Sequence, residues 1–148
     1  MLISQTPFDD ATFAENPEPR CPCILLLDTS GSMSGEPIRQ LNEGVSAFRE
    51  ELLTDELASR RVEVAVVTFG PVQVAADFAT PDMFYSPHLS ASGDTPMGSA
   101  ILQAIEMLER RKALYRSHGV AYFRPWIFLI TDGGPTDAYH LAAQAVRE

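Results

Sequence analysis

Apolar and polar positions alternate along the chain in a way that separates strand-like from helix-like segments. Ile24–Leu27 is an apolar run that leads straight into Asp28, and it reads as a buried strand over Cys21–Asp28. Ile38, Leu41, Val45, Phe48 and Leu52 then recur at spacings of three and four. That stripe predicts a helix from about Pro37 to Ala58, with proline in the first turn, where its missing N–H does no harm. Val62–Phe69 is a second strand, rich in β-branched residues and closed by Gly70-Pro71. Val72–Phe78 follows on so short a link that it predicts an antiparallel partner at the sheet edge. Ala79–Asp94, with Pro81, Pro87 and Gly93, reads as a loop with one helical turn near Pro81–Tyr85. Thr95-Pro96 opens a further helix, with Thr95 at or near its N-cap and Met97, Ile101, Ile105 and Leu108 as its buried stripe. This helix should reach about Tyr115 and stop at Ser117-His118-Gly119. Trp126–Thr131 is another apolar strand, and it too runs into a carboxylate, Asp132. A last helix is expected from about Thr136, presenting Leu141, Ala142 and Ala145 to the sheet.

The resulting order of strands and helices implies an α/β fold: a doubly wound, mostly parallel sheet with one antiparallel edge strand. Residues 1–20, with Pro7, Pro17 and Pro19, read as an extended lead-in pinned by Phe8 and Phe13, and residues 21–148 as one domain. If the first strand lies between the second and the Trp126 strand, Asp28 and Asp132 flank the crevice where such sheets bind ligands.

Composition narrows the function. The formal net charge is −9 and the single lysine is Lys112, which argues against nucleic acid and against a polybasic membrane patch. The first 20 residues have no basic start followed by an apolar core, and no apolar run approaches the ~18 residues of a spanning helix. The expectation is therefore a soluble, cytoplasmic protein. Cys21 and Cys23, the only cysteines, cannot complete a four-ligand zinc site and read as small apolar residues at a strand start.

A strand ending in Asp28 and continuing through Ser30 and Ser32 can serve a phosphate, a nucleophile or a hard cation. Phosphate binding of the P-loop kind requires a lysine after the glycines, and none follows Gly31–Gly35. An aspartyl-phosphate enzyme built on Asp28 would want a second carboxylate and a cation nearby, and position 30 is serine. A serine-hydrolase elbow would place serine midway between Gly31 and Gly35, where Met33 stands. A divalent cation fits better: Asp28, Ser30, Ser32 and Asp132 offer the oxygen donors that Mg²⁺ requires. Neutral hydroxyls are weak ligands, so such a cation is left ready to take an anionic oxygen from outside.

At these residues the sequence resembles the von Willebrand factor A family. The family's metal-ion-dependent adhesion site runs DxSxS, then Thr, then Asp. Asp28-Thr29-Ser30-Gly31-Ser32 matches the first part, Thr95 within Gly93-Asp94-Thr95-Pro96-Met97-Gly98 the second, and Asp132 within Ile130-Thr131-Asp132-Gly133-Gly134-Pro135 the third. The resemblance implies that Ser30, Ser32 and Thr95 coordinate Mg²⁺ or Mn²⁺ directly. It implies that Asp28 and Asp132 act mainly through bound water, and that a protein partner's Glu or Asp fills the open position. It implies a non-enzymatic interaction module; the alternative is a phosphotransfer or hydrolytic enzyme using Asp28 as nucleophile. The wording DTSGSMSGEPI is most similar to bacterial intracellular members, including those associated with tellurium resistance. The family's sheet usually has six strands, so the strands expected after Trp126–Thr131 are missing. That strand would then be an exposed apolar edge open to self-association.

Overall fold

A computed structural model describes residues 12–131. Its elements in chain order are β1 (Cys21–Asp28), a 3₁₀ turn (Gly31–Met33), α1 (Glu36–Thr54), α2 (Glu56–Arg61), β2 (Val62–Phe69), β3 (Val72–Ala79), α3 (Met97–Ser117) and β4 (Trp126–Ile130). The strands lie in the order β3-β2-β1-β4. β1 pairs in parallel with both β2 and β4, and β3 is antiparallel to β2 at the edge, as the sequence pattern implies. The central place of β1 explains its unbroken apolar run, because a strand covered on both faces needs no alternation. Ile24 and Leu26 face α3 with Ala65, Val67, Ala100 and Ala104. Leu25 and Leu27 face the other way, onto Leu41 and Val45 of α1.

Two local expectations are corrected. The first long helix does not continue to Ala58. It ends at Thr54, and Asp55 is extended (φ −104°, ψ 111°), with its carboxylate accepting from the N–H groups of Leu57 and Ala58, each at 3.0 Å. An aspartate that can cap a new helix competes with staying inside the old one. The lead-in is not extended throughout either. Residues 12–15 form a helical turn, and Phe13 is buried edge-on against Tyr115 of α3 at 5.9 Å.

At the amino-terminal end of the parallel strands lies a charged cluster that the periodicity did not reveal. Arg20 and Glu63 are fully buried. The Glu63 carboxylate accepts from Arg20 Nε (3.1 Å), from Arg111 Nε (2.8 Å) and Nη2 (2.9 Å), and from the Tyr115 hydroxyl. Burial first, and then the adjacent Glu63 charge, push the Tyr115 hydroxyl well above the ordinary phenol range, so it stays a donor. The guanidinium of Arg20 also lies over the Phe13 ring at 5.2 Å. The cluster thereby ties the lead-in, β2 and α3 together.

β4 carries Trp126, Phe128, Leu129 and Ile130 largely exposed. Asp132 and the helix expected from about Thr136, with Leu141, Ala142 and Ala145, lie outside the described residues. Among the described residues, no helix is long and apolar enough to cross a membrane.

Removing the carboxylate that pairs with the buried Arg20 and the partly buried Arg111 takes the ion-pair partner from both. Glu63→Ala should therefore cost about 3–5 kcal/mol in urea unfolding. Glu43→Ala, which breaks an exposed pair with Arg39, should cost less than about 1 kcal/mol.

Candidate metal centre

The parallel register pairs Asp28 with Phe69, so the loops leaving β1 and β2 start side by side at the carboxyl rim of the sheet. Asp28 is fully buried. Its Oδ1 accepts from the N–H of Ser30 at 2.9 Å, and its Oδ2 from the Thr131 hydroxyl at 2.7 Å. One carboxylate thus fastens its own loop and the end of β4. Ser30 is buried, and its hydroxyl lies 3.1 Å from that of Ser32. Ser30 stands at the start of the 3₁₀ turn, yet its side chain makes no capping bond. The hydroxyl is therefore not explained by turn chemistry. Met33 inserts into the α1-side core and anchors the turn.

A third segment closes the rim. The N–H of Ser92 donates to the carbonyl of Thr29 at 2.7 Å, the N–H of Gly31 to the carbonyl of Gly93 at 3.0 Å, and the Ser92 hydroxyl to the carbonyl of Gly70 at 3.2 Å. A Cβ on Gly70 would lie 2.7 Å from Ser30 N, Thr29 C and Ser92 O, all backbone atoms. Gly93 sits at φ +77°, a conformation that costs a side-chain-bearing residue about 1–2 kcal/mol. Thr95, two residues on, is buried at the same rim segment. Thr95 stands next to the start of the following helix, within the expectation of a place at or near its N-cap: the N-cap is Pro96, and no side chain caps it. The Thr95 carbonyl accepts from Met97 N–H at 2.8 Å, which leaves the hydroxyl outside the helix.

Of the five residues singled out from the sequence, Asp28, Ser30 and Ser32 lie in one loop. Thr95 arrives on a segment bonded to that loop through Ser92 and Gly93. Asp132 follows the last described residue. Among the described residues no cluster of three His, Cys, Asp or Glu could hold a metal ion, and the described oxygen donors at this rim are the Asp28 carboxylate and the hydroxyls of Ser30, Ser32 and Thr95. That donor set is hard and mostly neutral. The 3.1 Å between the Ser30 and Ser32 oxygens is close to the edge of an octahedron with bonds of about 2.0–2.1 Å, which is roughly 2.9 Å. The residues present therefore fit a small divalent cation. The thiols lie at the other end of β1, and burial, followed by the influence of Cys21, pushes Cys23 up to about 12. That is the wrong protonation state for a soft-metal ligand.

Sequence reasoning missed the residues that assemble the rim. Gly70 had a usable signal, since a glycine at a strand end can mark close backbone approach. Ser92 and Thr131 had none, because a serine in a loop and a threonine ending a strand have many ordinary uses.

An open, mostly parallel sheet with helices on both faces defines a doubly wound α/β domain. Residues 23–148 match the model of the von Willebrand factor type A domain, and the chain belongs to that family. It is similar to inter-alpha-trypsin inhibitor heavy chain H4 of Sus scrofa and to the heavy chain 4 of Mus musculus. Each is 30% identical over 76% of this chain, which spans 12% of the length of those relatives. Among solved structures, proximal thread matrix protein 1 of the mussel byssus superposes with a TM-score of 0.58 at 15% identity, over 88% of this chain and 35% of that one. That likeness speaks to the fold alone.

The crowding at Gly70 gives a direct prediction. Gly70→Ala should force the β1 loop and the Ser92 segment apart and cost about 1–3 kcal/mol. Gly44→Ala, in mid-α1 with open space around it, should add about 0.5–1 kcal/mol of stability. Chemical denaturation of the two variants beside the parent checks both signs.

Proposed function

We propose that this domain is a metal-dependent protein-interaction module. In this reading Ser30, Ser32 and Thr95 ligate Mg²⁺ or Mn²⁺ through their hydroxyls, while Asp28 and Asp132 act mainly through bound water. The observation that carries the reading is the joining of the Ser30–Ser32 loop to the Thr95 segment by paired backbone bonds at a rim that also holds the buried Asp28 carboxylate. When bound, the cation supplies a Lewis-acidic position that a partner's Glu or Asp can fill. The chain's own residues do the rest. The Ser30 N–H and the Thr131 hydroxyl hold the two oxygens of Asp28 in place. The backbone bonds from Ser92 and Gly31 hold the loops in register.

Membership of a family that often mediates protein–protein contacts supports the interaction reading. In this reading Asp28, held by the Ser30 N–H and the Thr131 hydroxyl, supports the metal rather than acting as a nucleophile, and the module is non-enzymatic. A narrower placement is a bacterial, cytoplasmic domain of the tellurium-resistance type, working in a stress-response or phosphorylation-linked assembly. It rests on the wording of Asp28–Ile38 alone, and the relatives found carry other names. Self-association through β4 is a second contact, supported by the exposed Trp126 and Phe128; sedimentation as a monomer up to high concentration would remove it.

Isothermal titration tests the main reading. The parent should bind Mg²⁺ and Mn²⁺, and Asp28→Ala and Thr95→Ala should each weaken binding at least about tenfold, the scale expected when a buried polar partner is removed. Titration of the parent without heat or saturation would reject the centre.

A further inference from the structure

Thr95 lies one residue before the end of a long stretch without helix or strand, residues 80–96. The position of its hydroxyl depends on whatever holds that stretch. Two side chains of α1 do so. Asn42 Nδ2 donates to the carbonyl of Leu89 at 2.9 Å, and the N–H of Leu89 donates to Asn42 Oδ1 at 2.8 Å. One side-chain amide thereby satisfies both backbone groups of Leu89, as a neighbouring strand would. The same Nδ2 reaches the carbonyl of Ile38 at 3.1 Å. Seven residues on, two helical turns along the same face, Arg49 Nε donates to the carbonyls of Phe84 (2.6 Å) and Pro81 (3.0 Å). Between these anchors Phe84 and Leu89 are buried in the α1-side core, in one cluster with Met33 and Leu41.

Met33 belongs to the turn that carries Ser32, and α1 begins three residues after it. One helix therefore holds both halves of the rim: the Ser30–Ser32 turn through the chain and the core, and the Thr95 segment through Asn42. We propose that Asn42 is a positioning residue of the metal centre, setting the Thr95 segment against the Ser30–Ser32 loop. The proposal rests on the metal reading above. An amide suits the task because its N–H donor and C=O acceptor sit side by side on separate atoms, so that it pairs with both backbone groups of one residue. Aspartate could only accept, and leucine could do neither.

The test uses Asn42→Leu and Asn42→Asp in the full chain, with two readouts. The first is amide hydrogen exchange without metal. Exchange of Leu89, Ser92 and Gly31 should accelerate about tenfold or more in Asn42→Leu, the scale of losing one or two hydrogen bonds, while the Ala104 amide inside α3 keeps the parent rate. The second is Mg²⁺ titration, where affinity should fall by a similar factor. Asn42→Asp retains the acceptor for Leu89 N–H and should show a smaller effect in the same direction; it also serves if Asn42→Leu does not fold. Acceleration at Leu89 with Ser92 and Gly31 unchanged would overturn the proposal, because the clamp would then stop short of the rim. Uniform acceleration that includes Ala104 would overturn it too, by showing a global stability effect. If the parent binds no Mg²⁺, the metal reading fails by itself, and the Ser92 and Gly31 amides still decide whether Asn42 positions the loops.

Discussion

At Gly70 three backbone segments converge with no room for a Cβ: the loop leaving β1 at Thr29–Ser30, the end of β2, and the strand-like stretch at Ser92. The rest of the site depends on this close approach. It follows from the parallel register, which ends β1 and β2 opposite one another at Asp28 and Phe69. It brings Ser92 near enough to donate to Thr29, and Gly31 near enough to donate to Gly93. Without it the Thr95 segment would have no fixed relation to Ser30 and Ser32. The chemistry of the rim is therefore a property of the backbone first. The hydroxyls are small and have little reach, so the loops themselves have to be placed.

The opposite end of the sheet solves a different problem. The Arg20, Glu63, Arg111 and Tyr115 cluster is buried under the lead-in, where a charge is tolerated only when paired and hydrogen-bonded. Glu63 accepts from three side chains, so its burial is compensated in full. The two poles of the sheet thus use carboxylates in contrasting ways. Glu63 is surrounded by cations and locks elements together. Asp28 accepts from a backbone N–H and from a hydroxyl, and so fastens two segments of the rim.

The strands were legible because they are either covered on both faces or closed by turn residues. β1 and β2 have the bounds that the apolar runs of Cys21–Asp28 and Val62–Phe69 imply, and β3 falls within a residue of its hairpin reading. Helix ends were less legible. The stripe through Leu52 continues plausibly to Ala58, but Asp55 makes two capping bonds that a hydrophobic pattern cannot show. Thr95 before Pro96 marked the helix start to within one residue, but the pattern could not show that no side chain caps it. Asp28, Ser30, Ser32 and Thr95 stood out through their order and spacing. The residues that assemble them, Gly70, Ser92, Thr131 and Asn42, act through contacts across 22 to 103 positions of chain, which no local pattern encodes.

Paramagnetic broadening by Mn²⁺ shows whether the rim is one site built from separate loops. In an amide correlation spectrum of the full chain, substoichiometric Mn²⁺ should broaden Ser30, Gly31, Ser32 and Thr95 together. Cys21, Glu63 and Arg111, at the far pole, should remain sharp. Broadening centred on the acidic face of α1 around Glu36 and Glu43, or spread evenly over the acidic surface, would contradict the account.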